Sequence, residues 1–355
     1  MSTLNAFRDL EAALTEADIG TDIGTGDDTQ SARAMTSVLA GCQALARVDP
    51  GRLLAELLED PRGWPEQSWK NLFGNACITV VRTETLRVDV LYWLQNASTL
   101  HKHVSSGAFM ALSGRRLHLE YDFSATDALG TGVTYGSLTG TSRTMMRDAS
   151  VSPIRPAMIH ELYWIEKPSV TVSVRSAAPA DTPHRPHEFV SPGVGYLPAA
   201  FHETSNVQRW VDGLSMLRRA NRPLYLTTLE KALRVVDAIH LVHVLDELSD
   251  NPPDDVSGIL ERAAAARPDD ELTRLAAAVP EFRRRKIMSR VLAGGDDQLL
   301  AALLWSGAEG EELATLLKAE NVDEPGVFVR THGERLSARD PRIAPYVESA
   351  RRSLR

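Results

Sequence analysis

Only two cysteines, Cys42 and Cys77, occur in 355 residues. So sparse a set excludes a disulfide framework and fits a reducing compartment. Long apolar runs are also missing; none approaches the roughly 20 residues needed to span a bilayer. The opening Met1-Ser2-Thr3-Leu4-Asn5 lacks the basic start and apolar core of a signal peptide. The expectation is a cytoplasmic protein with no membrane partner. Excess positive charge is absent, with a formal net charge of −8 and a pI near 5.7. General nucleic-acid binding needs a cationic surface to displace counterions, so no nucleic-acid partner is expected. The one basic run, Arg283-Arg284-Arg285-Lys286, stands beside Glu281 in a helical context and reads as a solvated helix face. The P-loop, the dinucleotide fingerprint, the nucleophile elbow and zinc-ribbon spacing do not occur.

What is present divides the chain into three. Hydrophobic residues make up 43%, enough for a sizeable core. Residues 1–70 read as helical, with helices over 4–16, 32–47 and 51–59 around a glycine-rich, mobile loop at 18–31. The repeated Asp-Ile-Gly-Thr in that loop lacks the acidic spacing and terminal Glu of a calcium loop. Residues 71–200 change character. Val, Thr, Tyr and Leu dominate, with strands expected at 76–82, 86–94, 98–103, 107–113, 116–123, 134–146, 157–165 and 169–176. Short strands at this spacing predict an antiparallel sandwich or barrel. A proline-rich ordered linker is expected over 177–200. Residues 201–355 turn helical again, with one long apolar stripe from Thr227 to Leu248. Further helices are expected at 256–266, 270–293 (divided at Pro280), 296–305, 310–319 and 341–353, forming an antiparallel bundle. This helical region is expected to pack on the barrel, close its pocket or mediate a possible homodimer.

The chemistry concentrates in Leu100-His101-Lys102-His103 and in His160, within Ala157-Met158-Ile159-His160-Glu161-Leu162. Histidines at i and i+2 on a strand share one face. A third from a distant strand of the barrel can complete a set around one divalent ion. Neutral imidazole suits Fe, Mn, Ni, Cu and Zn. On 169–176 the parity puts Val170, Val172 and Val174 on one face and Thr171, Ser173 and Arg175 on the other. The polar face is expected to line the lumen, where Arg175 is placed to hold a carboxylate as a two-pronged donor and Ser173 lies beside it. Trp164 shares the parity of His160 and is a candidate for the pocket wall. Tyr121 and Tyr135 are candidate hydrogen-bond donors to bound oxygen or substrate. His118 and Glu120 are candidate fourth ligands. His184 and His187, beside Arg185, read as solvated.

The motif residues resemble the cupin superfamily. Its first motif is His-x-His, three or four residues, Glu, six residues, Gly. Here His101-Lys102-His103 is followed by Val104-Ser105-Ser106, Gly107, six residues and Gly114. Gly107 stands where the metal-binding Glu is expected. Pro156-Ala157-Met158-Ile159-His160 resembles the second motif, with Trp164 where an Asn is usual. The resemblance covers roughly residues 75–180 and leaves the helical flanks unexplained. It implies a mixed α and β chain with a central antiparallel barrel, the double-stranded β-helix, flanked by N-terminal helices and a C-terminal helical domain. Without the Glu, the all-histidine set is most similar to the cysteine-dioxygenase-type cupins. That likeness implies Fe(II), with Mn, Ni, Zn or Cu as alternatives, and O2 as co-substrate. It implies a dioxygenase acting on a small, amino-acid-like or thiol substrate. The Ser-x-His-x-Tyr series of that group is matched only at Ser173, since Arg175 and Ala177 follow. The three ligands are therefore carried over without the thiol. Two alternatives stay open: non-oxidative metal chemistry (isomerase, lyase or hydrolase) and ligand sensing without catalysis.

Overall fold

The computed structural model describes residues 3–17, 19, 28–67, 74–176, 187–198, 205–250, 252–291 and 293–354. Three helices open the chain: α1 (Asn5–Glu16), α2 (Asp28–Gly41) and α3 (Pro50–Glu59). Asp49 caps α3 by accepting from the Arg52 amide at 2.6 Å, and Pro50 takes the first turn, where no amide is needed. The strands follow as β1 (Ala76–Arg82), β2 (Leu86–Trp93), β3 (His101–Lys102), β4 (Gly107–Ser113), β5 (Arg116–Ala128) and β6 (Val133–Met146). They continue as β7 (Val151–Ile154), β8 (Ile159–Trp164), β9 (Ser169–Ser176), β10 (Glu188–Val190) and β11 (Val194–Tyr196). The C-terminal helices are α4 (Ser205–Ala220), α5 (Arg222–Leu233), α6 (Ala238–Asp250), α7 (Val256–Ala265) and α8 (Glu271–Ala276). After them come α9 (Val279–Ser289), α10 (Gly295–Trp305), α11 (Gly310–Ala319), α12 (Pro325–Arg339) and α13 (Ala344–Ser353).

Two antiparallel sheets face each other. The first has the order β1-β2-β9-β4-β7; the second curls into a closed barrel, β10-β11-β6-β5-β8-β3. Strand parity builds the layers. On β9, Val170, Val172 and Val174 face out and pack with Phe7, Leu10, Met35 and Leu53 of the N-terminal helices. On β8 and β5, Tyr163, Leu117 and Leu119 face the other way and pack against α9 to α13. Between the sheets lies a smaller core in which Leu91, Trp93 and Phe109 meet Leu162 and Trp164. The mixed α and β architecture with a central antiparallel barrel is the expected one. Among the described residues no helix is long and apolar enough to cross a membrane.

Several boundaries differ from the sequence reading. The stretch read as a linker contains β10 and β11, and this hairpin closes the second sheet by pairing Glu188 with His101 and Val194 with Tyr135. Strands of three residues are too short to show a period. The mobility expected at 18–31 falls mostly outside the described residues, as does His184. The stripe from Thr227 to Leu248 is two helices, α5 and α6. Asp237 caps the second by accepting from the His240 amide at 3.1 Å, and an apolar stripe runs through such a break unmarked. α12 was not expected; its sequence carries Pro325, Gly326 and Gly333. Gly333 serves packing: a Cβ there would sit 2.3 Å from Val347 Cγ1, so glycine lets α12 and α13 touch. The run at 283–286 is not a solvated face. Arg284 donates to both Glu281 oxygens at 2.7 Å, and Arg284 and Arg285 side chains are 19% and 20% exposed.

Candidate metal centre

The three histidines of the sequence reading converge. β3 pairs with β8 so that His101 lies directly opposite His160, and His103 shares the His101 face. One nitrogen from each of the three can be chosen so that all lie within 4.8 Å of one another. His103 Nε2 and His160 Nε2 are 2.8 Å apart. An imidazole nitrogen sits about 2.0–2.1 Å from a bound Zn(II)-sized ion, so small side-chain rotations bring this set onto one ion. His103 and His160 are buried, 6% and 3% exposed, whereas His101 keeps partial exposure.

For His101 and His160, partners at the far ring nitrogen set which nitrogen the ring offers. The Thr99 carbonyl lies 2.8 Å from His101 Nδ1 and accepts its proton, making Nε2 the ligand atom. His160 Nδ1 lies 2.9 Å from His118 Nε2. With the proton on His160 Nδ1, its Nε2 lone pair faces the site and His118 is the acceptor. His118 thus stands behind His160 and outside the cluster of three, which corrects its reading as a fourth ligand. Glu120 is likewise committed elsewhere, in an ion pair with Arg155.

Burial sets the protonation. Desolvation pulls His101 down to about 4, and pulls His103 and His160 well below 6.5, with neighbouring imidazoles adding to it for these two. His118 falls to about 4 for the same first reason, with Arg155 next. All four rings are neutral near pH 7, and neutrality is what ligation requires.

The cavity beside the histidines measures about 30 Å³, room for roughly an ion and a water. Leu91, Trp93, Phe109, Ile154 and Leu162 supply its apolar wall, and Thr171, Ser173 and Arg175 its polar one. Among the described residues no carboxylate lines it. Arg175 Nε donates to Ser173 Oγ at 3.0 Å. Burial lowers the Arg175 pKa, opposed by nearby Asp89. Register explains Gly107. It pairs with Arg175 across β4 and β9, and a Cβ at this position would lie 2.3 Å from the Val174 carbonyl oxygen. Position 107, where the sequence resemblance led to the expectation of an acidic ligand, is therefore closed to any side chain, and the residue paired with it is Arg175.

The remaining candidates lie elsewhere. Trp164 faces inward but below the cavity, fully buried and stacked on Trp93 with ring centroids 4.3 Å apart. Beneath it Arg116, 0% exposed, donates to Ser169 Oγ at 2.7 Å and to the Val170 carbonyl at 3.0 Å. Tyr121 points out of the barrel and donates to Glu161 Oε1 at 2.5 Å. Tyr135 lies at the far end of β6 under the Arg274 guanidinium, 4.4 Å from its ring centroid. Neither tyrosine lines the cavity, which corrects their reading as donors to a bound substrate. Parity held the clue: His118 and Glu120 face in, so Tyr121 faces out. Thr171 lines the cavity as its strand parity predicted, whereas Trp93 and Phe109 went unnoticed because apolar residues on strands carry no distinguishing signal.

No family model matches the chain, and no curated protein matches it. Solved structures similar to part of it include hydroquinone 1,2-dioxygenase from Sphingomonas sp. TTNP3, at 10% identity over 31% of this chain and 70% of that one, TM-score 0.25. A DMSP lyase from Ruegeria pomeroyi DSS-3 is similar at 12% identity over 42% and 74%, TM-score 0.26. An RmlC-like cupin from Shewanella frigidimarina NCIMB 400 is similar at 11% identity over 34% and 97%, TM-score 0.23.

Proposed function

We propose that this chain is a mononuclear metal enzyme of cupin type, an iron(II) oxygenase acting on a small carboxylate-bearing substrate. One observation carries the reading: three neutral imidazoles and a half-buried guanidinium meet in one cavity whose lining, among the described residues, holds no carboxylate. His101, His103 and His160 would hold the ion. Iron(II) bound by three neutral ligands supplies a redox-active dication with coordination positions left for substrate and O2.

The chain's own residues do the rest. Arg175 binds the substrate carboxylate, and its bond to Ser173 Oγ holds the guanidinium fork in place. With the dication added, the cavity carries the charge of a metal and an arginine, with Asp89 near the arginine and no acidic side chain in the lining among the described residues. It therefore selects an anion. Trp93, Phe109 and Leu162 exclude water from the reacting atoms. His118 keeps the His160 proton on Nδ1. The small cavity restricts the substrate to a few heavy atoms unless the walls open.

The test is O2 consumption by protein loaded with Fe(II), assayed against a panel of small carboxylates that includes amino acids and thiols. Uptake that needs both Fe(II) and an anionic substrate supports the proposal. Turnover that persists under strict anaerobiosis replaces it with Lewis-acid chemistry at the same histidines. Ligand binding unchanged in His101→Ala and His160→Ala replaces it with a metal-independent sensor.

A further inference from the structure

Behind the strands that carry the histidines, the barrel meets the C-terminal helices through charge as well as apolar packing. On β8 the residue after His160 is Glu161, which faces outward and is 4% exposed. Tyr121 on β5 donates to its Oε1 at 2.5 Å. From α9, Arg285 reaches into the same layer. Its Nη1 donates to the Phe189 carbonyl on β10 at 2.8 Å and its Nε to Glu281 Oε1 at 3.1 Å. Desolvation opposes the charge of Arg285, but Glu161 and then Glu281 outweigh it and raise its pKa.

This charge layer touches β8, which carries His160, and β10, which pairs with the strand of His101. Consecutive Cα atoms are only about 3.8 Å apart, so a shift of Glu161 is a shift of His160. β10 in turn holds β3: Glu188 pairs with His101, and the Phe189 amide donates to the Leu100 carbonyl at 2.8 Å. Apolar side chains of similar volume would stabilise this interface as well as buried charges do. What the charges add is a fixed direction. One guanidinium, with planar donors, satisfies the Phe189 carbonyl and Glu281 together in only one placement of β10 against α9.

Building on the metal reading above, we infer that Arg285 is a positioning residue for the metal centre. It fixes β10, and through it the strand of His101, to α9. The ion is thus held by barrel residues whose spacing is set from a C-terminal helix. The inference concerns geometry, so it is tested with cobalt(II), whose visible absorption reports ligand geometry directly.

The experiment uses the full-length chain. Co(II) binding, the Co(II) spectrum and the melting temperature are measured for wild type, Arg285→Lys and the double variant Glu161→Gln/Arg285→Met. The double variant removes both charges, leaving no uncompensated ion at Glu161. It is expected to melt near wild type, bind Co(II) about ten-fold more weakly and show a changed spectrum. A folded double variant with wild-type affinity and spectrum overturns the inference. If the double variant does not fold, Arg285→Lys decides: it keeps the charge but loses the fork, and is expected to weaken Co(II) binding several-fold. Unchanged Co(II) affinity and spectrum in that variant overturn the inference too. A wild type that binds no Co(II) instead removes the metal reading itself, and the inference with it.

Discussion

At the scale of single residues, the account turns on imidazoles kept neutral by burial. Each of His101, His103, His118 and His160 has its pKa lowered from 6.5 by desolvation. The unfolded chain therefore binds more protons than the folded one once the pH falls below about 6.5. The stability of the metal-free protein should be fully present above that pH and decline as pH drops toward 4, by up to about 1.4 kcal/mol per pH unit per histidine. Denaturant midpoints of chelator-treated protein between pH 7.5 and 5 check this; a flat profile contradicts it. His118→Asn should leave the fold intact and weaken metal binding by about 10–100-fold, the usual cost of losing a partner behind a ligand histidine. Titration calorimetry with Zn(II) measures it. The ligand histidines were legible in the sequence because His-x-His on a strand is a geometric statement. Tyr121 and Tyr135 were not, since chemical suitability was weighed before parity. Arg175 was placed by parity alone, and Gly107 reads as an omission until the register shows the Val174 carbonyl against it.

At the scale of elements, the β4–β9 pair decides what the site is. Gly107→Ala drives a methyl against the Val174 carbonyl, so β4 and β9 must part where Arg175 leaves the sheet. Overpacking of this kind costs about 1–3 kcal/mol, visible as a lowered melting temperature. A variant as stable as wild type would mean the strands give way freely, and the exclusion of an acidic ligand at this position would lose its physical basis. The turn before β8 offers a converse test. Ala157 sits at φ 66°, a left-handed conformation that alanine resists, and its amide donates to the His103 carbonyl at 3.1 Å. Ala157→Gly relieves about 1 kcal/mol of that strain, partly offset by glycine's greater freedom when unfolded. It should raise the melting temperature slightly or leave it level; a clear fall contradicts the reading. Element type was legible wherever a period ran for several residues, as on β9. It was not legible in β10 and β11, or at Asp237, where a single cap divides one apolar stripe into two helices.

At the scale of the whole molecule, the barrel is clasped from both sides. Helices α1 to α3 cover the first sheet, and α9 to α13 cover the second. Polar side chains stitch the second contact. Asn96 Nδ2 donates to the Val291 carbonyl at 2.7 Å, and Gln298 Nε2 to the Trp164 carbonyl at 2.9 Å. This contact was not legible in the sequence, because it joins residues about 200 positions apart, such as Asn96 and Val291. Binding one ion to the folded state alone adds about 2.7 kcal/mol at a hundred-fold excess over its dissociation constant. The measurement that tests the central claim most directly is elemental analysis of purified, Fe(II)-reconstituted wild type beside His101→Ala, His103→Ala and His160→Ala. The account expects one ion per chain in wild type and loss of it in each folded variant. A wild type without metal, or variants that retain it, would contradict the assignment of this cavity as a metal centre.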